Sequence, residues 1–170
     1  MSIDLASVIA ATAEWLVRAY PTPGGALTAT LAEVQARQAV TVAAWLRYPT
    51  SMDAGLLLVV GPGGSARLDW LAGAESPGTP EPWRTWVDEV VASWAACLLS
   101  DSGLAAAAVA ALAGGEHTAG LHCDFRRLTR PDDRDRGAAA LLRHPDLLAP
   151  VAELHRAELL ARLGPAEAAA

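Results

Sequence analysis

Hydrophobic positions in the first part of the chain recur with helical spacing. Over residues 3–20, Leu5, Val8, Ile9, Leu16 and Ala19 share one face and Asp4, Ser7, Glu14 and Arg18 lie opposite, which predicts an amphipathic helix. Thr12 interrupts the apolar face, where its hydroxyl can bond back to the carbonyl four residues earlier. The stretch Pro21-Thr-Pro-Gly-Gly25 ends that helix, and a second is expected from Leu27 to about Arg37. From 39 to 48 the period changes. Val40, Val42, Ala44, Leu46 and Tyr48 alternate with Thr41, Ala43, Trp45 and Arg47, the pattern of a strand. A continuous helix over 27–47 is the alternative.

The apolar run Leu56 to Val60, the turn residues Gly61-Pro-Gly-Gly64 and the run Ala66 to Leu71 together predict a β-hairpin, with strands at 55–60 and 66–71. With 39–48 these make a three-stranded meander. Residues 75–81, carrying Pro77, Gly78 and Pro80, read as a surface connector. Pro82 suits a first helical position, and Trp83, Trp86, Val87, Val90, Val91, Trp94, Cys97 and Leu98 then form one stripe of a helix reaching Leu99. Ser102 can cap a further helix from Leu104 to Ala113, stopped by Gly114-Gly115. Residues 117–129 alternate again and predict a fourth strand. Pro131 with Asp132-Asp133 opens a helix to about Arg143, His144-Pro145 breaks it, and Asp146 caps a last helix through Leu163. The expected fold is α+β: a mainly antiparallel sheet of about four strands (39–48, 55–60, 66–71, 117–129) covered by amphipathic helices. One globular domain spans 1–165, and 166–170 form an Ala-rich tail.

Composition removes several kinds of chemistry. The chain has 170 residues, a formal net charge of −6 and a pI near 5.1, and all 13 of its basic residues are arginine. Without lysine there is no Walker A phosphate ligand, no Schiff-base nucleophile and no lysine base. Without asparagine there is no N-glycosylation site. Ala (38) and Leu (24) dominate as in proteins of GC-rich bacterial genomes, so alanine runs carry little functional meaning. A chain of this length is expected to be one domain burying roughly 70% of its unfolded surface. Cys97 and Cys123 fall in different elements with no metal spacing, which suits a reducing cytoplasm. The N-terminus lacks a basic, apolar signal pattern, and the longest apolar run, Leu104 to Ala113, is half a membrane span, so neither secretion nor membrane insertion is expected. An acidic chain with scattered arginines is a poor partner for nucleic acid.

The densest polar stretch holds His117, His122, Cys123 and Asp124, all metal-ligand types. In a strand His122 and Asp124 share a face while Cys123 points away, so the plain reading is Cys123 in the core and the other two on a wetter face. A metal or catalytic site would need His144 or His155 to close on it. Nine charges between Asp124 and Arg136 sum to +1 and read as self-paired surface charge. His155 and Glu158, three apart on the last helix, read as a polar pair. Gly61-Pro-Gly-Gly64 lacks the following helix that a phosphate loop requires. The remaining oddity is six tryptophans against one phenylalanine. Trp83, Trp86 and Trp94 on one helix stripe, with Trp45 and Trp70 across the sheet, could form an interface or ligand pocket. These features favour a non-enzymatic bacterial accessory or adaptor protein, without cofactor, that binds a protein partner or itself through a Trp-rich apolar surface. Two alternatives remain: a small enzyme or metal-binding protein built on His117, His122, Cys123 and Asp124, or a sensor of an apolar small molecule in a Trp-lined pocket.

Overall fold

The computed structural model describes residues 5–74 and 81–164, and the expected tail at 166–170 and most of the expected connector lie outside them. Among the described residues there is no strand. The chain runs through α1 (Ala6–Ala19), α2 (Ala26–Arg47), α3 (Ser51–Val60) and α4 (Ala66–Ala72), then a 3-10 turn at Pro82–Trp86. It continues through α5 (Glu89–Ser100), α6 (Ser102–Ala111), a 3-10 turn at Glu116–Thr118, α7 (Arg126–Thr129), α8 (Asp133–Ala138), α9 (Pro145–Ala152) and α10 (Arg156–Leu163). The α+β expectation is therefore corrected to an all-helical fold.

The centre is α5. Every residue from Val91 to Leu99 is buried, so this helix has no solvent face and is enclosed by α1, α2, α6, α9 and α10. The expected single helix over 82–99 is divided. Residues 82–86 make the 3-10 turn, and α5 starts only after Asp88, whose carboxylate accepts a hydrogen bond from the Val91 amide at 3.0 Å. The Asp88 amide in turn donates to Thr12 Oγ1 at 3.3 Å. Thr12 thus ties α1 to the start of α5 instead of bonding within its own helix.

Each expected strand fails for a physical reason. Residues 39–48 are the second half of α2, wedged between α1 and α5 with Ala39, Val40, Val42, Ala43, Ala44 and Leu46 all buried. A helix covered on two sides loses the one-sided pattern from which its period is read. Residues 55–60 lie in α3, started by a reciprocal capping box in which Thr50 Oγ1 accepts from the Asp53 amide and Asp53 Oδ2 accepts from the Thr50 amide. Residues 66–71 lie in α4, so the glycine stretch 61–64 joins two helices and is not a hairpin turn. Residues 117–129 comprise most of the second 3-10 turn, an irregular segment at 121–125 and α7.

A buried polar node organises the C-terminal half. Arg143 donates through Nε to Gln35 Oε1 at 2.6 Å, and its terminal nitrogens donate to Leu99 O at 3.1 Å and Arg127 O at 2.7 Å. Gln35 Nε2 donates to Asp135 O at 2.9 Å, and the buried Asp135 carboxylate accepts from Arg127. One guanidinium therefore satisfies carbonyls at the ends of α5 and α7 while holding α2. The dense charge after Asp124 is partly this internal node, and only part of it is surface pairing.

Candidate functional site

A cleft of about 580 Å³ opens between the end of α2, one flank of α3, the glycine loop and the start of α5. At 100° per residue, Asp53, Leu56, Leu57 and Val60 form one arc of α3, and all four line the cleft. Val90 adds to this apolar wall, while Arg47, Tyr48, Asp88, Glu89 and His155 supply polar groups. These come together because Pro49 ends α2 just after Tyr48, because Asp88 must sit at the α5 N-terminus to cap it, and because the expected last helix breaks after Ala152.

That break is held in place by three contacts. Ser93 Oγ donates to Ala152 O at 3.2 Å and accepts from the His155 amide at 3.0 Å, and Trp94 Nε1 donates to His155 O at 3.1 Å. The imidazole is thereby turned toward α5, where Nε2 lies 3.1 Å from Glu89 Oε1. The pair expected from sequence, His155 with Glu158, is present as the longer contact, 3.6 Å from Nδ1. Glu89 also meets Arg67 at 3.5 Å.

The Tyr48 hydroxyl donates to the buried Asp88 carboxylate. Burial, and then that carboxylate, push the Tyr48 hydroxyl well above its ordinary value, so it stays a protonated donor at neutral pH. Cys97 is buried, its Sγ 3.2 Å from Ala152 O, and burial pushes its thiol up as well. Neither group is an activated nucleophile, since activation requires a depressed value or a base.

Beside the cleft, α3 presents an apolar surface to solvent. Met52, Leu56, Val59 and Val60 are 75%, 58%, 85% and 81% exposed, while only Ala54 and Leu57 of this helix are buried. Positions 52, 55, 56, 59 and 60 follow the spacing of one helical stripe, with Gly55 contributing no side chain. The spacing was visible in the sequence. Without a fold, an unbroken apolar run does not reveal which of its sides faces water.

The residues singled out from sequence are scattered. Trp94 is in the core and Trp70 is exposed. Trp83 and Trp86 are half-buried on the 3-10 turn beside α1, with the guanidinium carbons of Arg18 and Arg84 5.2 and 5.4 Å from the Trp83 ring centre. Trp45 stacks on His117 at 5.8 Å and meets Phe125 edge-on. His117 Nε2 donates to Tyr48 O at 2.6 Å. His122, Cys123 and Asp124 follow on the irregular segment, where Asp124 accepts from the Arg126 amide at 2.8 Å. His144 sits at the N-cap of α9. Among the described residues no three His, Cys, Asp or Glu side chains are grouped to hold a metal ion. Among them, too, no helix is long and apolar enough to cross a membrane.

Sequence reasoning found His155 but missed Tyr48, Asp88 and Glu89, which are 40 residues or more apart from one another or from His155 except for the adjacent acidic pair. The Pro82–Leu99 stripe concealed the one available signal, an acidic residue before an apolar run, which marks a helix start. Comparison with protein-family models, with curated proteins and with solved structures finds no match to this chain.

Proposed function

We propose that this chain is a non-enzymatic interaction module that pairs with a second copy of itself through the outward stripe of α3. The carrying observation is the exposure of Met52, Leu56, Val59 and Val60 on one short helix. Covering each such side chain contributes roughly 1.5–3 kcal/mol, so a ten-residue helix left this open has a strong drive toward a partner. A patch on the order of several hundred Å² per copy approaches the ~800 Å² per partner of a standard interface.

A second copy is favoured over other occupants by charge. The stripe itself carries none, whereas the chain as a whole is at −6, so two copies can meet only where their charges are absent. One stripe meeting itself across a two-fold axis satisfies both copies at once. A lipid surface fits poorly, because helices that lie on membranes carry Lys or Arg on their polar flank and α3 has neither. The two cysteines are unbridged, which suits a reducing compartment.

Sedimentation equilibrium at micromolar concentrations tests the reading. The expected result is a dimer that Val59→Glu converts to a monomer with an unchanged far-UV CD spectrum. A wild-type chain that stays monomeric, or a dimer that survives both Val59→Glu and Met52→Glu, overturns it.

A further inference from the structure

We propose that the cleft between α3 and the start of α5 binds a small organic amine: an apolar body ending in an ammonium group. The site adjoins the pairing surface: Leu56 and Val60 belong to both, whereas Asp53 and Leu57 line the cleft alone and Met52 and Val59 lie on the outward stripe alone. At about 580 Å³ it is in the range of small-molecule pockets, which combine an apolar wall with a few convergent polar groups.

The charge of the polar side selects the ligand. Asp53, Asp88 and Glu89 face the single guanidinium of Arg47 across the lining. Two of these carboxylates have an oxygen to spare. Glu89 meets both His155 and Arg67 through Oε1, and Asp53 receives both Thr50 donors on Oδ2. Among the described residues, Glu89 Oε2 and Asp53 Oδ1 have no hydrogen-bond donor. An ammonium group brings three donors and one positive charge, matching unused acceptors beside Tyr48, whose hydroxyl already donates to Asp88. The alkyl or aryl body then covers Leu56 and Val60, which are otherwise open to water. An apolar acid of the same shape would bring a second negative charge to this wall.

Isothermal titration of the full chain with 2-phenylethylamine and with 3-phenylpropionate tests the assignment. The amine is expected to bind one per chain at millimolar or lower concentration and at least tenfold more tightly than the acid. Glu89→Gln should weaken the amine about tenfold and leave the acid bound no less tightly than before, as expected for one charge-assisted hydrogen bond and one charge removed from the wall. Leu56→Ser, at a mostly exposed position, should weaken the amine without perturbing the fold. In the Val59→Glu monomer, where no partner covers Leu56 and Val60, the amine should still saturate one site per chain, so the two proposals fail separately. Equal or tighter binding of the acid, or no saturation by the amine, overturns the assignment.

Discussion

Alkaline unfolding gives a sharp test of the buried chemistry, because this chain has almost nothing else to titrate there. All 13 basic side chains are arginine, which stays charged, and between about pH 8 and 11 the titratable side chains are two cysteines and two tyrosines. Three of those four are held above their ordinary values: Cys97 and Tyr20 by burial, and Tyr48 by burial followed by its bond to Asp88. In each case the folded chain keeps a proton that the unfolded chain gives up. Their contribution to stability is complete below the ordinary values, near pH 9 for the thiol and 10 for the phenols, and is lost as pH rises beyond them. Each group can steepen the loss by at most about 1.4 kcal/mol per pH unit, so three give at most about 4. Water in the cleft reaches the edge of Tyr48, which trims its share and leaves roughly 3 kcal/mol per unit for the set. Against a total of about 5–15 kcal/mol, a slope of that size makes stability fall steeply as pH rises above 10. Tyrosinate absorbance at 295 nm and far-UV CD should therefore change together. Tyr48→Phe should flatten the slope by up to about 1.4 kcal/mol per unit, while lowering stability at neutral pH by about 1–3 kcal/mol because Asp88 loses a donor. Tyrosinate absorbance rising near pH 10 while helicity stays intact would refute the reasoning.

Other perturbations address the polar joints of the fold. Arg143→Met strands three acceptors, Gln35 Oε1, Leu99 O and Arg127 O, and should lower stability by about 3 kcal/mol in urea unfolding with an unchanged slope; Arg143→Lys should recover little of it. Asp88→Ala removes the α5 cap and the tyrosine's acceptor, so it should cost about 1–2 kcal/mol and move the Tyr48 hydroxyl back toward its ordinary value, read by absorbance in the presence of folded CD. Ser93→Ala removes two of the three bonds that fix the α9–α10 break, and faster amide exchange at His155, with a loss of about 1–2 kcal/mol, is the expected signature.

Legibility in the sequence followed burial geometry. Helix α1 was readable because one side faces water, so Leu5, Val8 and Leu16 recur against Glu14 and Arg18. The second half of α2 and the whole of α5 are covered on more than one side, and α3 is apolar on its exposed side, so each departs from the single amphipathic stripe that reveals helical period. For short apolar runs such as Leu56 to Val60, period cannot separate strand from helix. The capping boxes at Thr50/Asp53 and Asp132/Asp135 carried the missing information: the first places a helix start immediately before the supposed hairpin. The cleft was hidden for another reason. Tyr48, Asp88 and His155 meet only through the packing of three helices around α5, and local sequence holds no record of that meeting.

The enclosure of α5 also has a consequence during synthesis. Two of its covers, α9 and α10, come late in the chain, α9 beginning 45 residues after α5 ends, at residue 145 against 100. At ~5–20 residues per second, a ribosome needs on the order of 3–13 s to complete them. Until then a helix bearing Val91, Trp94, Leu98 and Leu99 has only α1, α2 and α6 to cover it, and the side that α9 and α10 close stays open. The nascent chain thus passes through an interval in which the helix that ends up most deeply buried is still partly uncovered, and pausing within residues 101–144 would lengthen the exposure that favours capture by a chaperone or aggregation.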